Sequence, residues 1–241
     1  PPAHLLTDPE GVPVAAVTPD EWLPILAKRL DERQPRIALL RSYANGNAPM
    51  PEMGRNLRPA WEAFQKKARG GFGSRICTAV GNRMVMNGVT VGGGSDSLAA
   101  QAAVRIVRDN RFEVAFPDAI NDAFETSIGY LLVGEEDGKA VVTRELPEFM
   151  YAATDPLRPW RARAAIKVWR DIDADADFAL VWADGVRQKY QRPSHDLTTS
   201  TLLRSAQGGW SYAAEPETYD GPPPVYVIEN RDGLGEFERH V

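Results

Sequence analysis

The chain has 241 residues, of which 43% are hydrophobic and 25% charged, and a net charge of −5. This is the balance of an ordinary globular chain, which excludes disordered and fibrous classes, and the single Cys77 excludes a disulfide scaffold. No apolar run approaches the roughly 20 residues of a membrane-spanning helix, so no membrane partner is expected, and Pro1 to Leu6 shows neither the basic nor the apolar region of a secretory leader.

In chain order, Thr18-Pro19-Asp20-Glu21 reads as a capping box opening a helix with Trp22, Ile25, Leu26 and Leu30 at helical spacing. Pro24 and Pro35 predict a kink or break before Ile37, and Asn45-Gly46 a stop. A second helix carries Leu57, Trp61, Phe64 and Ala68 on one stripe, and a third carries Ile76, Cys77, Val80 and Met84, both stripes reading as core. Asn87-Gly88 between short apolar runs predicts a tight hairpin over 84–91. Ser95 or Asp96 is placed to cap an alanine-rich helix toward Asn110, and Phe116, Ile120, Ala123, Phe124 and Ile128 mark a further helix strained by Pro117.

From Tyr130 the period becomes that of strands: Tyr130–Val133, a turn at 135–138, and Val141–Thr143. Ala165–Trp169, Phe178–Trp182 and Val186–Tyr190 form a meander, with a turn at Asp184-Gly185, and Val225–Ile228 adds a strand; Gln191–Gly209 reads as a long exposed loop. The expected fold class is α+β, a helical N-terminal half packed with an antiparallel β-meander. A single domain over 1–241 is expected, mainly helical in 1–129 and mainly strands in 130–241.

Catalytic signals are sparse. His4, His195 and His240 belong to no zinc motif, and no Gly-x-Ser-x-Gly elbow occurs. Gly92–Ser97 lacks the lysine of a phosphate loop. The alternating carboxylates Asp171, Asp173, Asp175 and Asp177 suggest a hard cation, yet Ala176 and Trp182 stand where a calcium-loop glycine and glutamate belong, so a solvated turn is the simpler reading. No catalytic residue, metal or cofactor is expected. From Arg55 to Arg83 the chain holds Arg55, Arg58, Lys66, Lys67, Arg69, Arg75 and Arg83 against Glu62, a local +6 facing −11 elsewhere. Solvated helix faces or a contact surface for a neighbouring subunit or nucleic acid both fit that asymmetry.

Taken in order, Tyr43-Ala44-Asn45-Gly46, Trp61–Arg69, Ile76–Met84, Ile128–Gly134 with its acidic turn, Ala165–Arg170, Pro224–Arg231 and Gly233–Glu238 resemble the wing region of portal proteins of tailed bacteriophages. The resemblance implies a wing-like fold in a homo-oligomeric ring, normally dodecameric, at a capsid vertex of the virion. It further implies assembly in the host cytoplasm, double-stranded DNA passing through the channel, the major capsid protein, terminase and a head–tail adaptor as partners, and no catalysis. The sequence ends at Val241, where portals continue into stem, clip and crown, so it corresponds to the N-terminal wing portion. Alternatives are another capsid or head–tail adaptor protein, or a metal-dependent hydrolase using the Asp171–Asp177 carboxylates.

Overall fold

The computed structural model describes residues 5–7, 13–15, 17–49, 58–68, 72–84, 86, 88–89, 91, 97–194 and 205–238. Its helices are α1 (Pro19–Ala44), α2 (Arg58–Ala68), α3 (Phe72–Gly81), α4 (Leu98–Asp109) and α5 (Phe112–Thr126). The strands are β1 (Leu5–Thr7), β2 (Pro13–Ala15), β3 (Ile128–Glu136), β4 (Lys139–Glu145), β5 (Met150–Asp155), β6 (Arg158–Asp171), β7 (Ala176–Ala183), β8 (Val186–Pro193), β9 (Ser211–Tyr212), β10 (Glu217–Thr218) and β11 (Val225–Glu229). The class is α+β, with every described α-helix preceding β3 and only the short antiparallel pair β1–β2 among described strands ahead of it. The larger sheet has the order β10–β8–β7–β6–β5 with β9 on β8, and a smaller one the order β11–β3–β4.

Two compact units divide the chain. The first comprises residues 1–34, 132–134 and 145–227, the second 35–131, 135–144 and 228–241. Both helices and strands contribute to each unit.

In the first unit the sheet buries one face of alternating residues against the N-terminal part of α1. Across β6 and β7, Ala164 faces Ala183, Ile166 faces Val181 and Val168 faces Ala179, and Ala179 also faces Tyr190 of β8. Trp22, Leu26, Ala27 and Leu30 of α1 complete this core at helical spacing. Two residues further along the same face, Arg170, Asp177 and Arg192 stand side by side on three strands. The side chains of all three are buried, and Asp177 accepts from Arg170 Nε at 2.9 Å and Arg192 Nε at 3.1 Å.

The capping box forms as expected: Thr18 Oγ1 accepts from the Glu21 amide, and Glu21 Oε2 accepts from the amides of Thr18 and Val17 at 3.0 and 2.8 Å. Those two amide bonds hold the Glu21 carboxyl below its ordinary range. α1 then runs through Pro24 and Pro35 as one helix, so of the expected kink or break no break occurs. Each proline removes one backbone hydrogen bond, and the continuous buried row from Trp22 to Ala44 outweighs that loss. The stop at Asn45-Gly46 is observed, with Gly46 at φ 70°.

Three further corrections concern local signals. Met84, Met86, Gly88, Val89 and Val91 lie in no strand, so the 84–91 hairpin does not form among the described residues; Val85, Asn87 and Thr90 lie outside them. The cap of α4 is Ser97, which accepts from the Ala100 amide at 3.1 Å; Gly92–Asp96 lie outside the described residues. β8 extends to Pro193, and Ser205–Gly209 is not a free loop: Asp31 accepts from Ser205 Oγ and the Ala206 amide at 2.6 and 2.7 Å.

The buried triad makes the first prediction. Asp177→Ala leaves two buried guanidiniums without their carboxylate and costs about 3–5 kcal/mol, measured by urea denaturation against the wild type. A loss below about 1 kcal/mol would mean that the triad behaves like an exposed pair.

Candidate functional site

Of the seven basic residues singled out by charge, Arg58 begins α2, exposed and 3.3 Å from Glu62, an i,i+4 pair of little energetic weight. Arg75 lies exposed on α3 and Arg83 exposed just past its end. Lys66 and Lys67 lie on α2 within the described backbone, their side chains outside the description, and Arg55 and Arg69 lie outside the described residues altogether. The apolar residues beside them correct the core reading. Phe64, Ile76, Val80 and Met84 are exposed, Phe64 by 59%, while Cys77 alone among the α3 stripe is fully buried.

Cys77 is a buried thiol of α3. Burial, with Glu125 and Glu236 nearby, pushes its thiol up to about 12, so it stays protonated. Around it, in the second unit, α5 organises a charged cluster. Asp122, 1% exposed, accepts from Arg41 Nη2 at 2.7 Å and from Arg144 Nε and Nη2 at 2.6 and 2.8 Å, and Arg41 also bonds Glu125. The bond to Asp122 raises the Arg144 guanidinium above its ordinary value. Gly235 passes so near α5 that a Cβ there would sit 2.8 Å from the Glu125 carbonyl oxygen. Tyr43 stacks on Phe237 at 6.4 Å, and Arg36 donates to both oxygens of Glu238 at 2.7 and 2.6 Å.

The acidic run does not gather into a cation site. Asp177 is committed to two arginines, and Asp171 Oδ1 accepts from the amides of Asp173 and Ala174, closing the β6–β7 turn. Among the described residues no three His, Cys, Asp or Glu side chains could hold a metal ion. His4, His195 and His240 all lie outside the described residues.

One site escaped the sequence reading. In the first unit a cleft of about 380 Å³ opens between the β5–β6 turn, the β7–β8 turn and Gly221–Pro223, with Trp22 at its wall. It carries Arg158, Arg161 and Arg163 against Asp155 and Asp184. Arg158 pairs with Asp155 at 3.5 Å, and Arg163 lies over the Trp22 ring, 5.5 Å from its centroid. The signal was present in Arg158-Pro159-Trp160-Arg161-Ala162-Arg163, three positive charges in six residues.

No protein-family model matches this chain, and no curated protein matches it.

Arg36 and Glu238 give a pH prediction. The bidentate bond from Arg36 and the Gly235 amide depress the Glu238 carboxyl below its ordinary 4.5. A depressed carboxylate contributes stability that is fully present above the unfolded value and lost as pH falls through the folded one. Glu238→Gln is therefore less stable than the wild type at pH 7, and thermal unfolding curves of the two converge as the pH is lowered below 4.5. A difference that stays constant on acidification would contradict the pairing.

Proposed function

We propose that the chain is the wing portion of a tailed-phage portal protein, a non-catalytic subunit of a ring at the capsid vertex. The ring passes double-stranded DNA and meets terminase, the major capsid protein and a head–tail adaptor. The observation that carries this reading is where the resembling segments fall. Tyr43–Gly46, Ile76–Met84 and Gly233–Glu238, from three distant parts of the chain, are neighbours in one unit through the Tyr43–Phe237 stack and the approaches to α5 and the end of α1. There Gly73 lies where a Cβ would overlap the Tyr43 carbonyl oxygen, and Gly235 where one would crowd Glu125. Ile128–Gly134 lies in β3, Ala165–Arg170 in β6, and Val225–Glu229 is β11. Segments that share a packed neighbourhood form a coherent set, whereas scattered coincidences would have no such reason to meet.

The chemistry of the surface supports an assembly role. Phe64, Ile76 and Val80 are exposed on α2 and α3 alongside Arg58 and Arg75, the mixture of apolar and arginine side chains that suits a protein contact. Identical subunits closing a ring meet through two different patches of the same molecule. The +6 stretch faces either an acidic patch of the neighbouring subunit or DNA phosphates.

Reversing Lys66, Lys67, Arg69 and Arg75 to glutamate tests the role of this stretch. Assembled mass by sedimentation, or duplex-DNA retention by filter binding, is expected to fall about tenfold or more. Unchanged mass together with unchanged DNA retention would remove the basic stretch from the contact surfaces.

A further inference from the structure

The larger sheet is electrically polar along its strands. At one end, the β5–β6 turn brings Arg158, Arg161 and Arg163 to the cleft beside Leu157 and Trp160, which are 87% and 69% exposed. Arg161 is half-buried at the cleft wall and makes no hydrogen bond or ion pair among the described residues. A guanidinium partly withdrawn from water without a carboxylate keeps a desolvation cost that an incoming anion relieves. Asp155 is occupied by Arg158 and by the Leu157 amide, and Asp184 lines the same cleft without an ion pair to Arg161 or Arg163 among the described residues. Arginine and tryptophan are among the residues enriched at the energetic centre of protein interfaces.

At the other end, the β6–β7 turn presents Asp173 and Asp175, both exposed and without an ion pair among the described residues, flanking Ala174 and next to Ile172, 53% exposed. Along β6, Arg161 and Arg163 lie ten and eight residues before Asp171, about 33 and 26 Å from the turn that follows it. The two ends cannot meet within one molecule, and they complement each other between two: two carboxylates and two guanidiniums, each pair spaced by two residues, each with an apolar neighbour.

We infer that the acidic β6–β7 turn of one copy docks in the arginine cleft of a second copy, with Asp173 and Asp175 against Arg161 and Arg163, and Ile172 against Leu157 and Trp160. This contact deepens the assembly reading and rests on it. It is heterologous, using a different patch on each partner, and so propagates head to tail until it closes. It also lies apart from the Arg55–Arg83 stretch.

Two neutralised variants test it: Arg161→Gln with Arg163→Gln, and Asp173→Asn with Asp175→Asn. Asparagine tolerates the left-handed backbone that residue 175 adopts at φ 46°. Circular dichroism and urea midpoints matching the wild type verify that both fold. In analytical ultracentrifugation the wild type self-associates more weakly as salt rises, and each variant alone self-associates about tenfold or more weakly than the wild type. Mixed in equal amounts, the two variants pair one to one and stop, because each retains one intact end. Unchanged self-association of either variant, or a mixture that does not pair, would overturn the contact. So would a cleft variant that loses only its affinity for duplex DNA. A ring persisting in both variants would overturn this contact and leave the portal reading standing, whereas a wild type that is monomeric at every concentration would overturn both.

Discussion

A carboxylate that is 1% exposed must find cations or be neutralised, and Asp177 finds two, Arg170 and Arg192, on the strands at either side. The first unit hangs on this arrangement. Arg192 has donors left over, and they go to the carbonyls of Ser205, Gln207 and Gly208, while its guanidinium lies 4.4 Å from the centre of the Trp210 ring. That draws the segment after β8 back over the sheet, where Asp31 of α1 binds Ser205 and Ala206. Helix, sheet and returning segment are thus joined through one buried anion. Asp20 repeats the device at the start of α1, accepting from the hydroxyls of Tyr190 and Tyr212 at 2.7 Å each. Burial and the bond to Asp20 push the Tyr190 hydroxyl well above its ordinary value, so it remains a donor at neutral pH.

Much of this frame was legible because its signals are local. The Thr18–Glu21 box, the Asn45-Gly46 stop, the Asp184-Gly185 turn and the alternation of Phe178–Trp182 each depend on residues a few positions apart, and each appears where the spacing puts it. What depends on distant partners was not legible. Asp177 read as one more carboxylate of an acidic turn, because Arg192 reaches it only once β8 is paired to β7. The two helix prolines read as a kink or break, and the buried residues that carry α1 past them without a break are a property of the packed molecule. The apolar stripes of α2 and α3 read as core by period alone, while Phe64, Ile76 and Val80 stand exposed. β5 was missed altogether; its small residues Ala152 and Ala153 become informative only against β6.

The same division applies to function. Several buried polar groups of the described residues are tied to structural partners: Asp122 lies between Arg41 and Arg144, and Asp177 between Arg170 and Arg192, while Cys77 is a buried thiol. Among the described residues, charge and exposed apolar area stand on α2 and α3 and at the two ends of the larger sheet. Those are the materials of association, and they agree with the order of segments that resembles a portal wing.

The central claim is that this chain works as one of many identical subunits. Native mass spectrometry with negative-stain imaging, applied to the natural polypeptide that carries this sequence, tests it most directly. A closed ring of about a dozen copies is the expected result. A particle that stays monomeric at every concentration would contradict it.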